Sequence, residues 1–245
     1  LLALDAEERV AAMLAIRDFS ERDGAFLLFA TAKGRVKRTP LTDYANIRVT
    51  GLRAVVINEG DRLLSVHRTD GHRHVFMGTH QGMGIRFHEN DARPMGRVSM
   101  GVRGVNLRDG DWVEEVATFD PSDEGDILVV TDLGFGKRTP VPEFRLQQRG
   151  GYGMTLVRLT SKNGMVAGIR HVHDDDQAVM VTEQGMLIRM NVDEIRRIGR
   201  ATQGVRLIRL GEGDRVVAVA RLVEREENGT EDEVDAQDTG SEGGE

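Results

Sequence analysis

The sequence has no cysteine, five prolines and few aromatic residues, which make up 4% of its 245 positions. Without cysteine the chain cannot build a disulfide framework, a thiolate metal site or a cysteine nucleophile, which agrees with a reducing cytoplasm. No apolar run approaches the roughly 18 residues that a membrane helix needs, and no signal peptide is visible, so we expect no membrane association. Glycine is abundant, at 29 residues, and this favours a fold with many tight turns.

The formal net charge of −7 comes from one end of the chain. Residues 224–245 contain ten acidic residues and a single base, Arg225, whereas residues 1–223 contain 32 basic and 30 acidic residues. The end segment has almost no apolar residues, which predicts a disordered acidic tail over residues 224–245. The body of the chain is near neutral, so its charges have to be considered position by position.

One skeleton recurs four times along residues 1–223. An apolar run is followed by Thr, by Gly three residues later and by Arg four residues after that Gly; these positions are Gly34, Gly82, Gly134 and Gly185, with Arg38, Arg86, Arg138 and Arg189. A second half follows, with a basic residue, a Gly that opens another apolar run, and a Gly-Asp or Asn-Gly turn. Two hairpins in roughly 50 residues is the period of a four-stranded propeller blade. The sequence therefore predicts an all-β, propeller-like domain with full repeats near residues 24–66, 73–116, 125–169 and 176–219.

The N-terminal segment fits two structures. Asp5 and Glu8 match the N-terminal cap of a helix, but residues 4–13 also align with residues 57–66 at the end of the first repeat. We favour a turn and a strand, because repeat context overrides weak helix propensity. The chain then starts with the closing strand of an incomplete earlier blade and represents about five blades, at least one of them partial.

Cations recur at equivalent positions of the repeats. Equivalent positions of a propeller lie at the same radius and height, so we expect these cations to form a belt. Regularly spaced positive charge suits curved duplex DNA, and the predicted DNA-contacting residues are Arg35, Lys37, Arg38, Arg48, Arg86, Arg97, Arg103, Lys137, Arg138, Arg149, Arg189, Arg200 and Arg206. The alternative is that these side chains only solvate outer strands or pair with acids such as Asp43 and Glu143.

Two glycine-rich segments bear on phosphate binding. Residues 147–153 read Gln147, Gln148, Arg149, Gly150, Gly151, Tyr152 and Gly153, and consecutive glycines allow backbone N–H groups to approach phosphates; the alternative is an ordinary turn between hairpins. Residues 134–139 resemble a nucleotide-binding loop, but Thr131 stands where a P-loop needs glycine, and Pro140 follows instead of a helix. Nucleotide binding is therefore not predicted.

Neither a metal site nor a catalytic site is predicted. The pairs His72/His74 and His171/His173 have a spacing that suits metal ligands, but exposed histidines beside turns explain them better. Tyr44 and Tyr152, the two tyrosines, have no arrangement of His, Asp or Glu that would support a covalent nucleophile. We expect a non-catalytic chain without a metal or a cofactor.

Four segments resemble the C-terminal domain of the bacterial DNA gyrase A subunit: ATAKGRVKRTPLTDY, MGVRGVNLRDGD, TDLGFGKRTPVPEF and GRATQGVRLIRLGEGDRVV. The resemblance covers about residues 1–223 and implies a six-bladed β-pinwheel, in which neighbouring blades exchange strands, here as an incomplete ring. It implies a domain that wraps double-stranded DNA around a basic perimeter for negative supercoiling. The implied partners are the rest of the A subunit, and through it the B subunit, in an enzyme with two copies of each, in the cytoplasm with the nucleoid. ATP and Mg²⁺ act elsewhere in that enzyme.

The signature of that family is the heptad Gln-Arg-Arg-Gly-Gly-Lys-Gly in the first blade, which the resemblance places before Leu1. Residues 147–153 are similar to it in a later blade. Gln147, Arg149, Gly150, Gly151 and Gly153 match, whereas Gln148 and Tyr152 stand where the signature has Arg and Lys. Because two of three cations are lost, the loop is either a secondary box or a repeat-related turn.

Two alternatives stay open beside this resemblance. One is a topoisomerase IV A-subunit domain, which binds and selects DNA crossings with little wrapping. The other is a protein-interaction propeller whose belt pairs with an acidic partner. Some gyrase A proteins also carry an acidic tail, and we hypothesise that residues 224–245 compete with DNA for the belt as a tethered polyanion.

Overall fold

Each repeat begins with a β-hairpin that is closed by a left-handed glycine. The first hairpin joins β1 (Phe26–Thr31) to β2 (Arg35–Pro40). Gly34 has a φ of 78°, a conformation that glycine adopts without steric cost, and its N–H donates to the Thr31 carbonyl at 3.0 Å. The Thr31 hydroxyl accepts the N–H of Arg35 at 3.2 Å. The same contacts recur in the other hairpins, so the recurring Thr and Gly specify the turn.

The computed structural model describes residues 9–19, 24–46 and 51–223. Short 3₁₀ turns lie at Leu41–Tyr44, Glu89–Asp91 and Val141–Glu143. The remaining regular structure in those residues is β: β3 (Leu63–Thr69), β4 (His74–Thr79), β5 (Met83–His88), β6 (Val102–Arg103), β7 (Val113–Phe119), β8 (Asp126–Thr131), β9 (Phe135–Pro140), β10 (Met154–Thr155), β11 (Val166–Val172), β12 (Gln177–Thr182), β13 (Leu187–Asn191), β14 (Val205–Arg206) and β15 (Val216–Leu222).

Three of the four sheets contain a strand from the following repeat. The strand orders are β3-β1-β2-β6, β10-β5-β4-β7, β11-β8-β9-β14 and β13-β12-β15. The short strands β6, β10 and β14 each pair antiparallel with the second hairpin strand of the preceding repeat. This exchange confirms the predicted all-β pinwheel fold. In the fourth sheet, β13 has no such partner among the described residues.

A glycine precedes each exchanged strand because two backbones touch there. A Cβ at Gly101 would lie 2.3 Å from the carbonyl oxygen of Val36, and a Cβ at Gly153 would lie 2.3 Å from that of Gly84. Gly204 approaches the carbonyl oxygen of Gly136 in the same way. Glycine is therefore required at the start of the second half of these repeats, because a side chain would collide with the preceding repeat.

Apolar cores lie between consecutive sheets. Leu28 shares a cluster with Val75, Phe76 with Ile127, and Leu128 with Met180. The closing strands β3, β7, β11 and β15 contact one another in succession. We call the sheet edges that these closing strands form the inner edges. The exchanged strands form the opposite edges, which we call the outer edges.

The N-terminal prediction is wrong over the part that the structure describes. Residues 9–13 form no strand. The chain just after them packs through Ile16 and Phe19 against the cluster that contains Leu27 and Phe29 of β1 and Tyr44 of the first 3₁₀ turn. Residues 1–8 and the acidic segment 224–245 lie outside the described residues. In the described part of the chain, no helix is long and apolar enough to cross a membrane.

Candidate nucleic-acid interface

The arginine four residues after each hairpin glycine lies at a junction between repeats. Arg38 reaches the 3₁₀ turn of the second repeat, where it pairs with Glu89 at 3.4 Å and donates to the side chain of Asn90. Arg86 reaches the corresponding turn of the third repeat and donates to the carbonyls of Val141 and Phe144 at 3.2 and 3.4 Å. These guanidinium groups fasten one repeat to the next.

Arg138 makes the same junction between the third and fourth repeats. Its Nε donates to the Ile195 carbonyl at 2.7 Å, and its Nη1 pairs with Asp126 at 3.2 Å and with Asp174. The fourth equivalent, Arg189, is exposed and donates to Gln177 of its own hairpin. It lies on β13, which has no exchanged partner in the described residues. Among the described residues, Arg189 therefore lacks the following repeat that buries Arg38 and Arg138 and half-buries Arg86.

Two lysines fill equivalent junctions beside these arginines. Lys37 donates through Nζ to the carbonyl of Ala54 at 2.6 Å and to that of Arg97. Lys137 donates to the carbonyls of Gly199 and Arg200 at 2.7 and 2.5 Å. Burial lowers the pKa of each lysine from 10.5 to about 8, because the charged form loses hydration.

The expectation that these side chains form an exposed belt is wrong for four residues. Lys37, Arg38, Lys137 and Arg138 are only 1%, 4%, 0% and 8% exposed. A phosphate cannot reach side chains that are enclosed by the next repeat. The physical reason for their recurrence is the packing of one repeat on the next, which buries carbonyl and side-chain acceptors in each junction, and buried acceptors require donors.

The other predicted residues divide into half-buried and exposed groups. Arg35 donates to the carbonyls of Met100 and Gly101 at 3.0 and 2.7 Å, which holds the segment before β6. Arg200 donates to Thr155 at 3.4 Å. Arg86 and Arg97 are also half-buried, whereas Arg103, Arg189 and Arg206 are exposed. Arg48 lies outside the described residues.

The glycine-rich loop at residues 147–153 lies where the third repeat crosses the second. Arg149 donates to the carbonyls of Asp91 and Arg103 at 2.8 and 2.9 Å. The N–H of Gly150 donates to the Gly104 carbonyl at 2.6 Å. Gln148 and Tyr152 face outward, and Tyr152 is 53% exposed. The loop thus uses its arginine and part of its backbone to hold the neighbouring repeat, and it presents uncharged side chains to solvent.

A set of exposed arginines follows the outer edges. Arg103 and Arg206 lie on the exchanged strands β6 and β14. Three further arginines each precede a residue that forms an isolated parallel bridge with the preceding repeat. Together they are the outer-edge arginines: Arg93, Arg103, Arg145, Arg196 and Arg206, all exposed.

Three of the outer-edge arginines are absent from the predicted set. Arg93, Arg145 and Arg196 each stand eleven residues after the hairpin glycine of their repeat. This regular spacing is a signal that the sequence contains, although the first repeat has Ala45 at that position. Because these arginines recur on the edges that exchanged strands occupy, they offer phosphate-sized anions a spaced row of donors.

The histidine pairs have different surroundings. His74 is buried and lies 2.9 Å from Arg86, whereas His72 is exposed. His171 and His173 lie beside Asp123, and in the described residues these three form the group with ligand atoms close enough to hold a metal ion. They belong to the inner edge of the third sheet and its entry turn, not to the outer edges.

Comparisons with known proteins agree with this architecture. Residues 25–70, 73–120, 125–173 and 176–222 match the family described as DNA gyrase C-terminal domain, beta-propeller. The DNA gyrase A subunit of Staphylococcus epidermidis (strain ATCC 12228 / FDA PCI 1200) is 40% identical over 228 residues, which cover 93% of this chain and 25% of that protein. The chain thus spans about a quarter of the length of the curated relatives that it matches.

Two solved structures are similar over most of the chain. The C-terminal domain of DNA topoisomerase IV has a TM-score of 0.83 and 28% identity, and the match covers 90% of this chain and 68% of that one. The DNA gyrase A C-terminal domain has a TM-score of 0.78 and 24% identity, and the match covers 91% of this chain and 73% of that one. The second likeness supports the fold alone.

Proposed function

Because the chain belongs to the family described as DNA gyrase C-terminal domain, beta-propeller, we propose that it is the DNA-binding and DNA-wrapping part of a gyrase A protein. The observation that carries the proposal is the recurrence of exposed arginines along the outer edges. Charges at equivalent positions of successive blades follow a curved path, which suits a bent duplex contacted through its phosphates. Contacts of this kind position DNA without selecting a sequence.

The proposed role assigns the chemistry to other parts of a larger enzyme. In this role the chain contributes no catalytic residue and no cofactor, and ATP and Mg²⁺ are used elsewhere in the enzyme. Its partners are duplex DNA, the remaining domains of the A subunit, and through them the B subunit. Such an enzyme acts in the cytoplasm on the DNA of the nucleoid.

Two matched double variants test the interface. Arg103→Gln with Arg206→Gln removes two charges from the outer edges, whereas Arg62→Gln with Arg215→Gln removes two exposed charges from the turns before β3 and β15. The outer-edge pair should weaken binding to duplexes of unrelated sequence alike, and should flatten the slope of log affinity against log salt by about 1.8, at about 0.9 for each lost phosphate contact. An equal loss of DNA affinity in both double variants would mean that DNA does not bind at the outer edges.

A second experiment separates wrapping from simple binding. The likeness to the topoisomerase IV domain favours a second candidate, a domain that binds DNA crossings with little wrapping. We expect ligation of a nicked circle in the presence of the chain to shift the linking number in one direction, in proportion to bound protein. Duplex binding without any linking difference would support the second candidate and contradict wrapping.

A further inference from the structure

Three side chains with metal-binding atoms meet at the entry to the third sheet. Asp123 lies in the turn before β8, His171 is on β11, and His173 follows β11 directly. The Oδ1 atom of Asp123 lies 3.2 Å from Nε2 of His171 and 2.9 Å from Nε2 of His173. All three ligand atoms lie within 4.8 Å of one another. The strand pairing of β11 with β8 fixes this arrangement.

His171 has a buried nitrogen that no hydrogen bond satisfies. Its side chain is 9% exposed, its ring stacks on Phe119 at 4.6 Å between centroids, and Nε2 has no hydrogen-bond partner. The contact with Asp123 is close, but it is not aligned as a hydrogen bond. A buried imidazole nitrogen without a hydrogen bond is a donor atom that a metal ion can satisfy.

A glycine allows the ring of His171 to lie beside Asp123. A Cβ at residue 125 would lie 2.4 Å from Nε2 of His171, and the residue there is Gly125. Gly125 and His173 also line an open cleft of about 260 Å³, so an ion can reach the cluster from the side of His173.

We propose that Asp123, His171 and His173 bind a zinc ion. Two imidazole nitrogens and one carboxylate oxygen are a donor set that zinc accepts, and at bond lengths of 2.0–2.2 Å the ligands of a tetrahedral ion lie about 3.3 Å apart. The distances of 2.9 and 3.2 Å to Asp123 approach that separation without backbone movement. A water molecule completes the tetrahedron.

A second carboxylate holds His173 through its backbone. Asp176 is buried, and its Oδ2 accepts the N–H of His173 at 2.6 Å and lies 2.7 Å from Nε of Arg221. Nη2 of Arg221 donates to Nδ1 of His173 at 3.1 Å, which leaves Nε2 as the nitrogen that faces Asp123. Zinc binding at Nε2 moves the ring proton to Nδ1, so Arg221 gives up this hydrogen bond and keeps its ion pair with Asp176.

Metal titrations of the full chain after EDTA treatment and dialysis test the site. We expect one Zn²⁺ per chain by calorimetry, a Tm that rises with Zn²⁺ concentration, and a visible absorption band of tetrahedral Co²⁺ when Co²⁺ replaces Zn²⁺. Absence of the one-to-one binding and of the Co²⁺ band in the unaltered chain would overturn the proposal, whatever the variants do.

Variants then locate the ion. Asp123→Asn and His173→Gln should abolish the Zn²⁺-dependent rise in Tm, because each removes a proposed ligand. His72→Gln changes an exposed histidine outside the site and should leave binding unaltered. Far-UV circular dichroism without metal checks that each variant is folded. Unchanged binding in both Asp123→Asn and His173→Gln would show that the ion lies elsewhere.

Discussion

Lys137 shows how a charged side chain holds two repeats together from inside their junction. Its ammonium group donates to the carbonyls of Gly199 and Arg200, and it is 0% exposed. Lys137→Met keeps the length of the side chain but leaves both carbonyls without this donor, so we expect a loss of about 1–3 kcal/mol in the free energy of unfolding. Urea unfolding measures the loss, and Lys162→Met, at an exposed position, should change stability by less than about 0.5 kcal/mol.

The same lysine predicts a pH dependence. Its pKa is about 8 in the folded chain and returns to its ordinary value on unfolding, so between these values the unfolded chain binds more protons. Stability gained from this group therefore rises with pH across that window. The difference in unfolding free energy between the unaltered chain and Lys137→Met should grow by on the order of 1 kcal/mol from pH 7.5 to 9.5. A difference that stays constant would contradict burial of a charged amine.

Sequence periodicity finds recurrent residues but does not separate their causes. Arg38 and Arg138 recur because the next repeat supplies acceptors for them, and Arg93 and Arg145 recur at the outer edges with their side chains exposed. Both sets give the same regular spacing along the chain. Only the position of the exchanged strand decides which set is enclosed, and that position depends on contacts between residues about 60 apart. The predicted site was therefore partly wrong although the repeat was identified.

At the scale of elements, the glycine before each exchanged strand is the most sensitive position. Gly101→Ala places a Cβ 2.3 Å from the Val36 carbonyl oxygen at a φ of 75°, so we expect it to cost about 2–4 kcal/mol through strain and overpacking. Gly96→Ala is the matched control, because nothing lies within 4 Å of its Cβ position, and it should be neutral or slightly stabilising. Urea unfolding compares them, and equal stability of the two variants would refute the close approach.

Hairpins were the most predictable elements, and the exchanged strands the least. Local residues specify each hairpin, because Thr31 and Gly34 supply the turn contacts within five positions. β6 has only two residues, and nothing in Val102 or Arg103 indicates that its partner is β2 of the preceding repeat. The exchange was expected from family resemblance rather than from spacing. The strand predicted at residues 9–13 is absent because alignment with a repeat does not supply a strand edge to pair with.

At the scale of the whole molecule, strand exchange joins the sheets into a chain of dependent units. Each of the first three sheets is completed by the following repeat, and each apolar core between sheets draws residues from both neighbours. A sheet that unfolds alone exposes its neighbour's core and leaves the exchanged strand without a partner. Nearest-neighbour coupling of this kind favours unfolding of the repeats together rather than one at a time.

The single tryptophan allows this coupling to be measured. Trp112 stacks on His80 at 3.9 Å between ring centroids, beside the second sheet, so its fluorescence reports that sheet, whereas far-UV circular dichroism reports all four. We expect the two urea transitions to coincide, and Gly101→Ala, at the junction of the first two sheets, to shift both to lower urea by the same amount. A fluorescence transition that precedes the loss of dichroism would mean that the second sheet unfolds independently. In that case the exchanged strands would join neighbouring sheets, but the sheets would still unfold at different urea concentrations.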